Sequence, residues 1–209
     1  MSGPLAGLAL ALLAAGADAS AVLHSLERAG RDLRTMQASF VETKALVLLD
    51  ETQESRGKVF LEVPGRFRWS YEAPQPSVML VKDGRYARYF PKTKQVFRGA
   101  AKGEADLLVG FGPGAADLGS KYEVTRVGEE AVGGAATDVL DLRPRAGQSA
   151  LFSAIRMWVE KTRHVPLQTR LTEPTGDHTT VRFEGVVVNG KLPAGAFELR
   201  LPPGVAEVK

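Results

Sequence analysis

No cysteine occurs in the 209 residues. That absence excludes disulfides, thiolate metal sites, a cysteine nucleophile and a lipid-modified N-terminal cysteine. Histidine is nearly as scarce. His24, His164 and His178 share no metal-ligand spacing, and each reads as a surface residue. There is no G-x-S-x-G elbow and no nucleophile–base pair. The adjacent Glu129 and Glu130 fall in a Gly-rich turn and read as solvated charge. Neither an enzyme nor a cofactor is expected. Long apolar runs are also missing: Leu5 to Ala15 spans about 11 residues, against roughly 20 for a membrane-crossing helix. Charge of one sign is not concentrated anywhere. The 27 basic and 24 acidic side chains are scattered and give a formal +3, which becomes +4 if Asp18 is removed. Such a surface reads as mixed and solvated rather than as a nucleic-acid face.

The N-terminal run does fit an export signal. Ala17-Asp18-Ala19 has the small-x-small cleavage pattern, which predicts residues 1–19 as a signal peptide and a mature chain beginning at Ser20. Its n-region carries no Lys or Arg. A mature chain of about 190 residues is long enough to bury a core without disulfides, and residues 20–209 show no linker or internal repeat.

From Ser20 to Phe40, Val22, Leu23, Leu26, Ala29, Leu33, Met36 and Phe40 recur at three- and four-residue spacing. This predicts a helix capped by Ser20, with a kink at Gly30. Strands follow at Phe40 to Leu49, then a polar loop at Asp50 to Ser55. The central stretch, Gly57 to Pro74, reads as two strands punctuated by Pro64 and Gly65. Val59, Leu61 and Val63 alternate with charged residues and Phe60, and Phe67, Trp69 and Tyr71 alternate with Arg68 and Ser70. Two readings of that apolar face stand open: ordinary sheet core, or the wall of a cavity for an apolar ligand.

Further strands are predicted at Ser77 to Lys82, Arg85 to Phe90 and Gln95 to Phe97, with Asp83-Gly84 as a hairpin turn. Glu104 to Val109 offers a short helix, and Gly110 to Gly119 lacks the GK[ST] of a phosphate loop and reads as a mobile flap. Strands resume at Tyr122 to Val127, Ala136 to Arg143, Ala150 to Trp158, Val165 to Glu173, Thr179 to Val188 and Phe197 to Leu201. The expected fold class is α+β: an incomplete, unclosed antiparallel β-barrel of about ten to eleven strands with an N-terminal helix and a short helical lid.

Several pieces resemble one family. QASF at Gln37 to Phe40, G-x-V-x-L-x-x-P-G-R-F-R-W at Gly57 to Trp69, KDG at Lys82 to Gly84 and F-x-L-x-L-P-P-G-V at Phe197 to Val205 are similar, in order and spacing, to the periplasmic outer-membrane lipoprotein carriers of LolA type. The resemblance implies a soluble periplasmic monomer that shelters lipoprotein acyl chains. It implies loading from an inner-membrane lipoprotein-releasing ABC transporter and delivery to the outer membrane, in some lineages through a receptor lipoprotein. It also assigns sites: Phe67 as an aromatic at the cavity mouth, Trp69 as cavity wall, Phe40 at the helix–strand junction, and Leu107, Leu108 and Phe111 in the lid. With the apolar faces, the expected cargo-binding set is Phe40, Val59, Leu61, Val63, Phe67, Trp69, Tyr71, Leu80, Leu107, Leu108, Phe111, Ile155 and Met157. Many members carry an Arg just before the Pro, hydrogen-bonded to the lid. Val63 stands there, which predicts a lid closed by apolar contact. A binding protein of the same fold for another hydrophobic ligand, or a hydrolase with a polar cluster in the cavity, are the competing readings.

Overall fold

The computed structural model describes residues 5–101, 110–147 and 151–208. Helix α1 (Leu5–Asp32) leads into β1 (Thr35–Leu46), and a short 3-10 turn joins β1 to β2 (Glu51–Glu62). Antiparallel hairpins follow: β3 (Arg66–Ala73), β4 (Ser77–Lys82), β5 (Arg85–Phe90) and β6 (Gln95–Ala100). Two single-turn helices, α2 (Pro113–Ala116) and α3 (Leu118–Lys121), precede β7 (Tyr122–Val132), β8 (Ala135–Pro144), β9 (Ala154–Glu160), β10 (Pro166–Thr172) and β11 (His178–Val188). Strand β12 (Ala206–Val208) closes the chain.

All twelve strands form one sheet in the order β12-β6-β5-β4-β3-β2-β1-β11-β10-β9-β8-β7. Each neighbouring pair is antiparallel except β12 and β6, which run parallel. Strands β12 and β7 end the sheet without pairing to one another, so the curled sheet stays unclosed. The α+β architecture is as the pattern predicts, with one strand more than expected. The supposed loop at Asp50 to Ser55 is the start of β2, paired residue by residue with the end of β1. Conversely, Phe197 to Leu201 is not a strand. Its Leu199 and Leu201 cover Ala87, Tyr89 and Val96 on the convex face, and Arg68 Nη1 donates to the Glu198 carbonyl at 2.7 Å to hold the segment there.

Helix α1 ends at Asp32 rather than Phe40, and Asn189 explains where. Its amide Nδ2 donates to the Asp32 carbonyl at 3.2 Å, and its Oδ1 accepts from the Arg34 N–H at 2.7 Å. The last helical carbonyl and the first extended N–H are thereby satisfied by one side chain. Met36, Ala38 and Phe40 then alternate in β1 and are all buried. Helix α1 continues through Gly30, and the lack of a side chain there serves packing instead. A Cβ at Gly30 would lie 2.5 Å from the Ala115 Cβ of α2.

Apolar side chains on the concave side form two buried groups. One surrounds Phe40, Val59, Phe67, Trp69 and Phe183. In the other, Leu26 of α1, Ala115 of α2 and Leu118 of α3 pack on Leu140, Leu142, Ile155, Met157 and Leu171. Helices α1 to α3 therefore lie over the concave face of β8 to β10. No helix among the described residues is long and apolar enough to cross a membrane.

Candidate functional site

Sheet register places the aromatic residues. Trp69 faces Val59 across the β2–β3 pair and Met79 across β3–β4, while Phe67 faces Leu61 and Val81. Side chains alternate across a strand, so one buried face collects Val59, Leu61, Phe67 and Trp69, all 6% exposed or less. Phe40 joins them from β1, opposite Gly57. A Cβ at Gly57 would meet the Phe40 ring at 2.8 Å and the Ser70 carbonyl at 1.9 Å, so only glycine leaves room for that ring. The result is a contiguous aromatic floor. Ring centroids of Phe40 and Trp69 are 4.4 Å apart, Phe40 and Tyr71 5.3 Å, Phe67 and Trp69 5.9 Å, and Trp69 and Phe183 6.1 Å. These are separations at which tilted and edge-on pairs attract.

A segment between β6 and β7 covers this floor. Phe111 is 2% exposed and meets Phe183 edge-on at 5.1 Å. Gly112 has φ +51, a conformation open chiefly to glycine. A Cβ there would lie 3.2 Å from Val63 Cγ2 and 3.7 Å from Leu61 Cδ2. The Gly112 backbone thus rests directly on Val63. Gly110 presses similarly on Met157, whose Cε would be 2.7 Å from an added Cβ. Through Gly30 and Ala115 the segment is in turn seated against α1.

Of the sequence-predicted residues, Phe40, Val59, Leu61, Phe67, Trp69 and Phe111 come together in the buried group, with Val63 and Tyr71 half-buried against it. Ile155 and Met157 sit in the neighbouring group beneath α1 to α3. Leu80 does not join them. It pairs with Arg68 and Ala87, on the opposite face from Trp69. Strand β4 is buried on both sides, and only the register shows that Met79 and Val81 are its concave positions. Leu107 and Leu108 lie outside the described residues. Sequence reasoning missed Met36, Met79, Val81 and Phe183. Alternation with Val181 was the available signal for Phe183. Tyr86, Phe90 and Phe97 extend the face half-buried across β5 and β6.

Neither arginine near Val63 latches the lid. Arg66 Nη1 pairs with Glu62 at 2.8 Å, and Arg68 is spent on the convex face, where burial lowers its pKa. One polar pair does stand on the concave side. Tyr71 Oη donates to Glu42 Oε2 at 2.9 Å. Burial raises the Glu42 pKa, and the Tyr71 hydrogen bond offsets part of that rise. Burial and the Glu42 charge push the Tyr71 phenol well above its ordinary value. No group of three or more His, Asp or Glu able to hold a metal occurs among the described residues. Glu129 and Glu130, expected to be merely solvated, lie in β7, where Glu129 pairs with Lys161 and Glu130 accepts from the Trp158 indole at 2.7 Å.

The family model described as "Outer membrane lipoprotein carrier protein LolA" matches residues 31–200. An outer-membrane lipoprotein carrier protein of Chromobacterium violaceum is 30% identical, covering 92% of this chain and 89% of its own. One from Chromohalobacter salexigens is 28% identical, covering 75% and 72%. Among solved structures, MucB superposes with a TM-score of 0.60 at 21% identity, covering 88% of this chain and 63% of its own. That likeness is one of fold.

Proposed function

The chain belongs to the outer membrane lipoprotein carrier family, LolA, a family of carriers rather than enzymes acting in the periplasm, and from that premise we propose how this member works. It is exported with cleavage after Ala19 and takes acylated lipoproteins from an inner-membrane lipoprotein-releasing ABC transporter. It shields their acyl chains on the concave face and surrenders them at the outer membrane, through a receptor lipoprotein where one exists. Phe40, Val59, Leu61, Val63, Phe67, Trp69, Tyr71, Phe111, Ile155 and Met157, with Met79 and Val81 in place of Leu80, contact the chains.

The observation that carries this reading is Phe111. A side chain from a glycine-flanked connector is driven into an aromatic floor that the sheet builds without it. It occupies space that an acyl chain can take. Magnitudes favour the exchange: burying Phe111 is worth about 2–3 kcal/mol, whereas each sheltered CH₂ contributes about 0.8 kcal/mol. About four methylenes therefore match the plug, and a longer chain displaces it. Release then needs only that the receiving site outbid the cavity, with lid closure over Phe111 assisting.

Native mass spectrometry of protein purified from its own periplasm tests the proposal. Acylated lipoproteins are expected to co-purify with the wild type and to be lost from Phe67→Glu, which sets a charge on the buried floor. Recovery of a non-protein lipid alone would overturn lipoprotein carriage and leave a lipid-binding protein of the same fold.

A further inference from the structure

At one end of the sheet the rim is apolar and bare. The turn between β1 and β2 carries Val47, Leu48 and Leu49, exposed by 55%, 85% and 65%. It is a fixed turn. The Val47 N–H donates to Asp177 Oδ1 at 2.8 Å, and Asp50 closes the turn in the left-handed conformation at φ 52. Asp177 belongs to the turn between β10 and β11, where the Thr172 and Glu173 carbonyls accept from the Ser153 hydroxyl. Two residues before Ser153 stands Leu151, 66% exposed. Four of the six large apolar side chains exposed among the described residues therefore share this rim, at the opposite end of β2 from Val63 and Gly112. Single exposed apolar residues are ordinary, but a cluster of them marks a surface that meets something.

We propose that this rim is a lipid-docking surface, on which Val47, Leu48 and Leu49 enter the acyl region of a bilayer. The inference rests on the carrier reading above and names the face that meets the membrane. Shape selects the occupant. Successive residues of a 3-10 turn lie about 120° apart, so the three side chains splay around the tip. A protein face docked from one side, a second copy included, would leave at least one of them in water. A fluid bilayer surrounds all three. Charge limits the depth: Lys44 precedes the tip, Asp50 and Glu51 follow it, and insertion stops where they reach the headgroups. With both signs present, the contact does not depend on anionic lipid. Three such side chains offer less apolar carbon than a myristoyl chain, which itself binds membranes reversibly at about 10⁴ M⁻¹, so the docked molecule leaves again. Phe40 lies about 23 Å back from Val47 along β1, and that one strand joins the aromatic floor to the docking tip.

Co-sedimentation of the purified mature protein with dioleoyl phosphatidylcholine vesicles, with and without about a quarter of phosphatidylglycerol, tests this. Wild type is expected to bind both alike and to stay bound in high salt. Leu48→Asp sets a charge on the exposed tip and lowers binding about tenfold. Val187→Asp, at an exposed apolar position elsewhere on the sheet, leaves binding unchanged. A polarity-sensitive dye on Leu48→Cys, in a chain with no other cysteine, shifts to the blue with vesicles, and the same dye on Val187→Cys does not. Failure of the wild type to bind, binding that Leu48→Asp retains, or binding that needs phosphatidylglycerol and vanishes in salt overturns the inference. A Leu48-dependent dimer in sedimentation velocity without vesicles assigns the tip to a second copy and overturns it too. Loading of a fluorescent acyl probe, measured on the same samples, separates this inference from the carrier reading. Loading by wild type and Leu48→Asp alike with no vesicle binding leaves the carrier standing and sinks the docking surface. Vesicle binding by a protein that loads no probe does the reverse.

Discussion

Tyr71 and Glu42 show what a single polar pair does on an apolar face. Burial holds the Glu42 carboxyl above its ordinary pKa of 4.5, and the Tyr71 hydroxyl, 2.9 Å away, is its main compensation. A carboxyl whose pKa is raised on folding binds its proton more tightly in the folded state. Its contribution is therefore fully present below about pH 4.5 and falls as pH rises through the raised value. Removing the Tyr71 hydroxyl leaves the ionised carboxylate buried without its donor. Tyr71→Phe is accordingly expected to cost about 2 kcal/mol near pH 7, in the range for hydrogen bonds to charged groups, and clearly less at pH 4, where Glu42 is increasingly protonated. Urea unfolding of both proteins at the two pH values measures this. An equal loss at both would mean that Tyr71 contributes packing alone. The phenol's own pKa is also raised, so its share of stability is intact below about pH 10 and declines only in stronger alkali.

Among the elements, the lid segment rests in part on Val63, the position at which the family resemblance expects an Arg. Val63 follows the end of β2 and donates its backbone N–H to the Arg34 carbonyl at 2.8 Å, which fixes its side chain beneath Gly112. Val63→Ala removes roughly 1 kcal/mol of half-buried contact and is expected to speed loading and release about fivefold. Val63→Arg puts a charge into the same apolar seam and is expected to raise the loading rate as well. Transfer of a fluorescent acyl probe follows both rates, and if neither variant altered them the apolar seam would not be what holds the lid. The turn was legible because β2 and β3 alternate cleanly, and Val63 stood out only through the family resemblance. Elsewhere the pattern was ambiguous. Leu33, Met36 and Phe40 satisfy helical spacing as well as they satisfy a strand that begins at Thr35, and the deciding partner, Asn189, lies 157 residues from the Asp32 carbonyl it takes. Strand β4 offers apolar residues to both faces, so Leu80 and its neighbours could be sorted only by pairing partners. Strand β12 has no apolar alternation to read, and backbone pairing with β6 alone defines it.

At the scale of the whole molecule, topology makes the lid a strap across an open seam. Strands β6 and β7 are consecutive in sequence but lie at opposite ends of the sheet, with β6 followed only by the short β12. The described part of the connector, residues 110–121, lies on the concave side, so access to the floor and the position of this part are linked. The place where it is seated is α1, through the near contact of Gly30 with Ala115. A covalent tie there should close the cavity. Cβ positions at 30 and 115 lie 2.5 Å apart, against about 3.8 Å in a disulfide, so a relaxation of roughly 1 Å lets Gly30→Cys and Ala115→Cys join. The chain contains no other cysteine to compete. The oxidised double variant is expected to melt higher than its reduced form, since the cross-link restricts a long loop in the unfolded chain, and to refuse an acyl probe that the reduced form accepts. Equal loading in the two redox states would show that cargo enters with α2 still seated on α1. Opening would then have to come from the unpaired edges of the sheet rather than from the strap.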